Sequence, residues 1–247
     1  MMRPVETPRD DEGRVDYDRG WRLWTDTNRY YPSAVHRRRL IASWLAPLRP
    51  RTLVDCGCGT GNLLDVLRAR LPGAALTGVD RAAAQIATNR ARLPWARLLP
   101  LDLGTQALDE QFDAVVCTEV LEHIEDDDAA LDHLVAMTGR HLLLTVPTGT
   151  IFPLEAGFGH LRHYELAALC GRLERRGLEI VRATRWGFPF MSAFKRAANL
   201  NPQAIANGFA DGAWSWPKKA LGSLLTGLFY LNLPGYGPQL LILARRR

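Results

Sequence analysis

The sequence lacks a long apolar run, a CxxC pair and a strong excess of one charge. No stretch approaches 18 consecutive apolar residues, so we expect no membrane-spanning helix. The charged residues between positions 3 and 11 argue against a secretory signal. The four cysteines are not spaced like zinc ligands, and unpaired thiols are typical of a cytoplasmic protein. The net charge of +5 is too small and too scattered to indicate nucleic-acid binding.

The composition is that of an ordinary globular protein, with 47% hydrophobic and 23% charged residues. Its 247 residues suffice for one domain with additions. From residue 51 onward, short apolar runs alternate with amphipathic helical patterns. This alternation predicts a doubly wound, mostly parallel sheet covered by helices on both faces. The seven predicted strands are 52–54, 75–79, 96–100, 114–117, 141–146, 178–182 and 239–244.

A turn with glycine at every second position follows the first predicted strand and precedes a helix. The segment 54–62 reads VDCGCGTGN, with Gly57, Gly59 and Gly61 in alternation. Glycine adopts positive φ without strain and lets a ligand approach the main chain. A strand, a glycine-rich turn and a helix N-terminus form a nucleotide-cofactor site. The spacing G-x-G-x-G differs from the dinucleotide pattern G-x-G-x-x-G, which disfavours an NAD-dependent dehydrogenase.

The Asp-x-Gly-x-Gly-x-Gly pattern resembles motif I of class I S-adenosylmethionine (SAM) dependent methyltransferases. The resemblance implies a Rossmann-like seven-stranded fold, SAM as cofactor and S-adenosylhomocysteine as product. It assigns the methionine end of SAM to the turn, the ribose hydroxyls to Asp80, and the adenine to the ends of the second and third strands. The cofactor residues so implied are Asp55, Cys56, Gly57, Gly59, Gly61, Asp80, Arg81, Asp102, Leu103 and Glu119.

Residues 112–124 (FDAVVCTEVLEHI) resemble the fourth-strand signature of the ubiquinone-biosynthesis-like small-molecule branch. In that branch, positions 118–123 form the loop that faces the methyl group. His123 is therefore a candidate general base, since the ordinary pKa of histidine lies near neutrality. The same Glu-His pair could equally cap a helix or shape the pocket. Catalysis by proximity alone remains open, because SAM carries an excellent leaving group.

Residues 159–164 (GHLRHY) resemble a Gly-His-x-Arg-x-Tyr loop that covers the substrate side in many small-molecule members. His160 and His163 are further acid/base candidates, and Arg162 and Tyr164 are candidate substrate contacts. Arg162 could hold a carboxylate or phosphate with two hydrogen bonds. A loop fastened by its own hydrogen bonds is an equal alternative. The acids at 125–128 precede a helical pattern, where they complement the helix N-terminus, so no metal is expected.

Two additions flank the predicted core of residues 51–186. Residues 1–15 are predicted to be flexible, and 16–50 to form an aromatic-rich helical cap. Residues 187–237 form a long insert before the last strand and the basic tail (238–247). The insert is expected to be a lid, a membrane-surface segment or simple packing on the sheet edge. The remaining candidate substrate contacts are Tyr30, Tyr31, Trp186 and Phe188.

These features predict a SAM-dependent methyltransferase for a small, partly hydrophobic or anionic acceptor, with O-methylation favoured by family frequency. We expect a cytoplasmic location, with peripheral membrane contact through 187–237 as an option. A nucleic-acid (RNA) methyltransferase is the first alternative. The Asn/Asp-Pro-Pro-aromatic run and the Pro-Cys nucleophile of nucleic-acid branches are, however, missing after the fourth strand. A SAM-binding partner protein without catalysis is the second alternative.

Overall fold

The computed structural model describes residues 7–11, 15–210 and 213–247, and the side chains of all of these except 209 and 210. Seven strands form one sheet in the order β3-β2-β1-β4-β5-β7-β6. All neighbours are parallel except β7, which runs antiparallel to β5 and β6. The predicted Rossmann-like, mostly parallel sheet is confirmed. The strands are β1 (Thr52–Cys56), β2 (Ala75–Asp80), β3 (Arg97–Pro100), β4 (Phe112–Thr118), β5 (Thr138–Pro147), β6 (Leu178–Trp186) and β7 (Gln239–Arg246).

The central strands are apolar because helices cover both faces of the sheet. Val54, Val115 and Leu143 are fully buried, as expected for continuous apolar runs in a parallel sheet. The sixth strand is four residues longer than predicted. Its outer part, 183–186, contains Thr184 and Arg185 and is not an apolar run, but it pairs with β7 up to Trp186 opposite Gln239. Backbone pairing with β7 therefore extends this edge strand beyond its apolar part.

Five helices belong to the core, and two short 3-10 turns lie at Ala46–Leu48 and Leu121–His123. Asp126 caps the third of these helices by accepting a hydrogen bond from the Ala129 N–H. Asp127 and Asp128 pair with Arg172. The side chains of residues 126–128 are thus engaged in a helix cap and in ion pairs. The core helices, numbered in chain order after three N-terminal ones, are α4 (Asn62–Arg70), α5 (Ala83–Arg92), α6 (Asp127–Met137), α7 (Pro153–Gly157) and α8 (Leu166–Arg175).

The N-terminal cap consists of three helices where the sequence suggested one continuous helical stretch. They are α1 (Tyr17–Leu23), α2 (Thr25–Tyr30) and α3 (Pro32–Leu45). Asp16 caps α1 through the Arg19 N–H, and Pro32 begins α3, where a missing N–H costs nothing. Thr7 donates a hydrogen bond to the Gly157 carbonyl, and Val15 is buried. Residues 1–6 and 12–14, which we predicted to be flexible, lie outside the described residues.

The insert forms three helices, α9 (Phe190–Ala198), α10 (Pro202–Ala210) and α11 (Trp216–Phe229). It packs against the N-terminal cap. Trp214 donates from its indole N–H to the Thr27 hydroxyl (3.2 Å), and its backbone N–H donates to Asp26 (2.7 Å). Phe229 is buried against His36 and Phe194. The insert and the cap thus form one helical layer.

Among the described residues, no helix is long and apolar enough to cross a membrane. All four cysteines are free; Cys56, Cys58 and Cys117 are buried and Cys170 is partly exposed.

Removal of the Phe229 ring should destabilise the protein, because it leaves a cavity between the insert and the cap. We expect Phe229→Ala to lower the free energy of unfolding by about 3–5 kcal/mol. Leu224→Ala is the matched control on the same helix, since Leu224 is 64% exposed; its change should stay within about 0.5 kcal/mol. Urea unfolding followed by circular dichroism measures both. A small effect of Phe229→Ala would show that α11 is not held by this contact.

Candidate functional site

The glycine-rich turn lies at the carboxyl end of β1 and is shaped by positive φ angles. Gly57, Gly59 and Gly61 have φ of 77°, 49° and 72°. A Cβ at Gly57 would clash with Val120, and one at Gly59 would lie 2.9 Å from the Trp21 ring. The turn therefore requires glycine for its backbone conformation and for the close approach of two neighbouring segments. The sequence pattern predicted that glycine is needed in this turn, but we attributed that need only to the approach of a ligand.

Asp80 fastens this turn and still has acceptor capacity. Its Oδ2 accepts from the Gly59 N–H (2.8 Å) and its Oδ1 from the Ala82 N–H (2.9 Å). A carboxylate oxygen can accept more than one hydrogen bond. Each oxygen of Asp80 therefore retains a lone pair for a further donor, as a vicinal diol requires.

Asp55 lies beside Asp80 and is 2% exposed. Burial, with a smaller contribution from the negative charge of Asp80, raises the pKa of Asp55 to about 7. A ligand cation next to Asp55 would favour its ionised form. The pair of buried acids is thus suited to a ligand that carries positive charge.

These groups open into one cavity of about 190 Å³. Arg81, Asp102 and Leu103 line its far side; Asp102 accepts from the Gly104 N–H (2.9 Å), and Leu103 presents a mostly buried apolar surface. Eight of the ten predicted cofactor residues line this cavity: Asp55, Gly57, Gly59, Asp80, Arg81, Asp102, Leu103 and Glu119. The other two do not line it. Cys56 is fully buried in the core, and Gly61 faces Leu93.

The N-terminal cap forms the opposite wall of the cavity, which the sequence did not predict. The Tyr17 ring lies 5.2 Å from the Arg81 guanidinium and contacts the His123 ring edge-to-face. No motif marks these positions; the aromatic richness of 17–31 was the only available signal. The cap residues that line the cavity are Tyr17, Trp21, Asn28, Ala34, Arg37 and Arg38.

Glu119 connects the cap to the loop after β4. It is not glycine, yet its φ is +54°, a strained conformation that is typical of functional sites. Its carboxylate pairs with Arg37 (3.1 Å) and accepts from Gln239 (3.0 Å) and Thr145 (3.2 Å). Three structural units, the cap, β5 and β7, thus fix the side chain at the predicted methyl-transfer position.

His123 is the one predicted acid/base residue that lines the cavity among the described residues. Its Nδ1 lies 3.1 Å from the Gly159 carbonyl, so Nδ1–H donates there and Nε2 keeps its lone pair. Burial lowers the pKa of His123 to about 4, so the ring is neutral at neutral pH. His160 and His163 contact each other at 3.0 Å, and neither lines the cavity.

Glu122 lies behind His123 and is fully buried, with no hydrogen-bond partner for either carboxylate oxygen. Burial, and then the negative charge of Glu119, raise its pKa well above the usual value. The uncharged acid is therefore the favoured form. Glu122, His123 and His160 each offer a ligand atom within 4.8 Å of the others, as do Glu155, His160 and His163. Such a group could hold a metal, and the expected absence of one stays a prediction.

The other predicted substrate residues lie outside the cavity and make structural contacts. Arg162 donates to the carbonyls of Ile124 and Glu125 and pairs with Asp127. The Tyr164 hydroxyl donates to Asp127 (2.8 Å). The loop at 159–164 is thus fastened by hydrogen bonds and an ion pair to residues 124–127. This agrees with the alternative that its side chains hold the loop and do not contact substrate.

The four aromatic candidates also lie away from the cavity. Tyr30 packs against Trp214, and Tyr31 against Phe194. Trp186 is buried against His36. Phe188 is 44% exposed and forms a β-bridge with Leu233. No described residue of the insert lines the cavity, so the wall predicted for the insert is formed by the N-terminal cap.

Solved structures share this fold. A putative sarcosine dimethylglycine methyltransferase from Galdieria sulphuraria matches with a TM-score of 0.59 and 14% identity, over 86% of each chain. The magnesium protoporphyrin IX methyltransferase of Synechocystis PCC 6803 with bound SAH matches with a TM-score of 0.53 and 17% identity, over 87% of this chain and 85% of that one. At these identities the likeness establishes the Rossmann-like fold alone.

A family model described as a methyltransferase domain matches residues 26–183, more than half of the chain. The chain belongs to this methyltransferase-domain family, and its fold and family assign SAM as its cofactor. It is 31% identical over 132 residues to the trans-aconitate 2-methyltransferase of Klebsiella pneumoniae (strain 342), which covers 53% of this chain and 50% of that protein. The enzyme of the same name from Delftia acidovorans (strain DSM 14801 / SPH-1) is 42% identical over 79 residues, 31% of this chain and 30% of that protein. The chain spans about half the length, or less, of these curated relatives.

Binding of the cationic cofactor should depend on pH through Asp55. Below the pKa of about 7, binding must first remove a proton from Asp55. SAM affinity should therefore rise by up to about tenfold per pH unit toward pH 7 and level off above it. Asp55→Asn should bind more weakly and show a flatter profile, whereas Asp132→Asn, on the surface of α6, should behave as wild type. Calorimetry across this pH range would contradict the assignment if wild-type affinity stayed constant.

Asp80→Ala should weaken SAM binding at least about tenfold, since each lost hydrogen bond to a charged group costs about 1.5–3 kcal/mol. The substitution also leaves the N–H groups of Gly59 and Ala82 without their acceptor, so the melting temperature should fall. Asp80→Asn keeps the size and one acceptor oxygen, and it separates binding from stability. Unchanged affinity of both variants would show that the ribose lies elsewhere.

Proposed function

We propose that this protein transfers a methyl group from SAM to a small, partly hydrophobic acceptor, with oxygen as the favoured acceptor atom. The observation that carries the proposal is the shared cavity. Acids suited to the positive groups and the ribose of SAM, and a neutral histidine with a free Nε2 lone pair, line the same space. A cofactor site without a base or an enclosed wall would fit a non-catalytic binding protein better.

The residues fit SAM at each of its chemical parts. The Gly57–Gly59 turn and Asp55 would hold the positively charged methionine end, and Asp80 the ribose hydroxyls. Asp102 and Leu103 would receive the adenine amino group and ring. When bound, SAM supplies an activated methyl group on a positively charged sulfur. The chain itself supplies orientation and exclusion of water, through the cap and the loop after β4.

His123 would accept the proton of the acceptor hydroxyl at Nε2. Its Nδ1–H bond to the Gly159 carbonyl fixes the tautomer that leaves Nε2 free. Because burial lowers its pKa to about 4, His123 is already in the basic form at neutral pH but is a weak base. Alignment of the acceptor with the methyl group would then supply most of the rate.

The walls of the cavity favour an acceptor with both an apolar and an anionic part. Tyr17, Trp21, Leu101 and Leu103 provide ring and aliphatic surface, whereas Arg37 and Arg38 provide positive charge. The relatives named for trans-aconitate, a carboxylate, support an anionic acceptor. Arg38 donates to the carbonyls of Asn28 and Arg29, and Arg37 pairs with Glu119, so either guanidinium would have to share its donors with an anionic acceptor. The cytoplasmic location and the O-methylation remain predictions.

The test combines cofactor binding with methyl transfer. Calorimetry should detect binding of SAM and S-adenosylhomocysteine and no binding of NAD. Tritiated-methyl transfer from SAM into small-molecule extract should label an acceptor, whereas transfer into RNA should fail. Tight SAM binding with no labelled product from any extract would favour the non-catalytic alternative.

The role of His123 is tested with the identified acceptor. His123→Ala should lower kcat much more than SAM affinity, and the fall of the wild-type rate below about pH 4, the pKa of His123, should disappear. His163→Ala is the matched control, because His163 does not line the cavity; its kcat should change less than that of His123→Ala. A His123→Ala rate within about threefold of wild type would show that catalysis is by proximity alone.

A further inference from the structure

The outer face of α11 is apolar and exposed. Seven of the eleven exposed large hydrophobic side chains in the described part of the chain fall between residues 216 and 236. Phe188 adjoins them through its bridge to Leu233. No charged residue occurs between positions 220 and 244. We name as the outer apolar face Trp216, Leu221, Leu224, Leu231, Leu233 and Tyr236, which are 52–80% exposed.

This helix is apolar on both sides, which a surface helix is not expected to be. Its inner side buries Gly222, Thr226 and Phe229 against the cap. A helix with a single buried side would carry polar residues on the other. Large apolar side chains left exposed together in one segment are typical of a site for a protein or a membrane.

The surroundings of this face carry positive charge. Arg39 stacks on the exposed Tyr230 ring and bonds its hydroxyl. In the described part of the chain Arg39 has no carboxylate partner. Lys218 lies over the buried Trp214 and donates to the Gly208 carbonyl, on the inner side of α11 with Gly222 and Thr226. Lys219 pairs with Asp26, so its charge is balanced. Arg39 is therefore the cation that lies beside the outer apolar face.

We propose that the outer apolar face docks on the surface of an anionic lipid bilayer. Leucines in the middle of the face would enter the boundary between headgroups and acyl chains. Trp216 and Tyr236, the first and last of these residues in sequence, belong to the residue types that concentrate at that boundary. Arg39 would meet anionic headgroups.

A second copy of the chain is a poorer occupant on charge. A symmetric contact brings the same patch of both copies together, so Arg39 would approach its own equivalent. Docking to lipid instead places this cation against opposite charge. The inference adds a partner to the proposed function, yet it stands on surface residues alone and does not need methyl transfer to be correct.

Docking would place the cavity close to the bilayer. α11 packs on α2 and α3, and these helices supply Asn28, Ala34, Arg37 and Arg38 to the cavity wall. One helix layer thus separates the lipid surface from the cavity. An acceptor dissolved in the bilayer would have a short path to the site.

Co-sedimentation with vesicles tests the proposal on the full chain. Wild-type protein should bind vesicles of phosphatidylcholine with phosphatidylglycerol more strongly than phosphatidylcholine alone, and salt should weaken the difference. The double variant Leu221→Glu/Leu224→Glu should bind at least about tenfold more weakly. Val181→Glu, at an exposed apolar side chain on β6, is the matched control and should bind as wild type.

Two further measurements keep the result interpretable. SAM affinity should be the same in all variants, which shows that they are folded and separates this test from the proposed function. The Trp fluorescence of wild type, but not of Trp216→Phe, should shift to the blue on anionic vesicles. No vesicle binding by wild type, or equal binding by the double variant, would overturn the proposal. A wild-type dimer that Leu224→Glu converts to a monomer would also overturn it, by showing that the face joins two copies.

Discussion

Two carboxylates buried side by side at the ends of β1 and β2 are the constraint on which the site depends. Asp55 and Asp80 have little water to solvate them, and burial raises the pKa of both. The glycine-rich turn partly compensates Asp80 by presenting the Gly59 N–H, a contact that the positive φ of Gly59 allows. No comparable backbone donor to Asp55 occurs in the described part of the chain. A positively charged group of the cofactor beside Asp55 would supply the compensation that the fold does not provide.

The two buried acids also give a role to the N-terminal cap, which packs over their cavity. A site for a positively charged ligand needs walls that exclude water, since electrostatic interactions strengthen when water is removed. Trp21 lies against Gly59 and Tyr17 against Arg81 and His123. Arg37 of the cap pairs with the strained Glu119. The cap therefore controls both the enclosure of the cavity and the geometry of the loop after β4.

The sequence predicted what local pattern determines and missed what long-range packing determines. The sheet and eight cavity residues follow from the strand ends, because the carboxyl ends of parallel strands meet at one edge. Tyr17, Trp21 and Arg37 come from helices whose docking position no local pattern encodes. The predicted roles of Arg162 and Tyr164 came from a motif, yet both are engaged by Asp127. Trp186 was singled out for its aromatic ring, but it packs against His36. Such partners lie far apart in sequence, so only the folded chain shows them.

The two additions to the core have different roles: the cap encloses the cavity, and the insert supports the cap and presents an exposed apolar face. The inner side of α11 holds α3 in place through Phe229 and its contact with His36, and α3 in turn positions Arg37. A displacement of α11 can therefore be transmitted to Glu119 through α3 and the Arg37–Glu119 ion pair. Docking of the outer apolar face would limit the motion of α11 and, through α3, that of Arg37. The insert would then act on the site by stabilising the wall that the cap provides, which is consistent with the lack of described insert residues in the cavity lining.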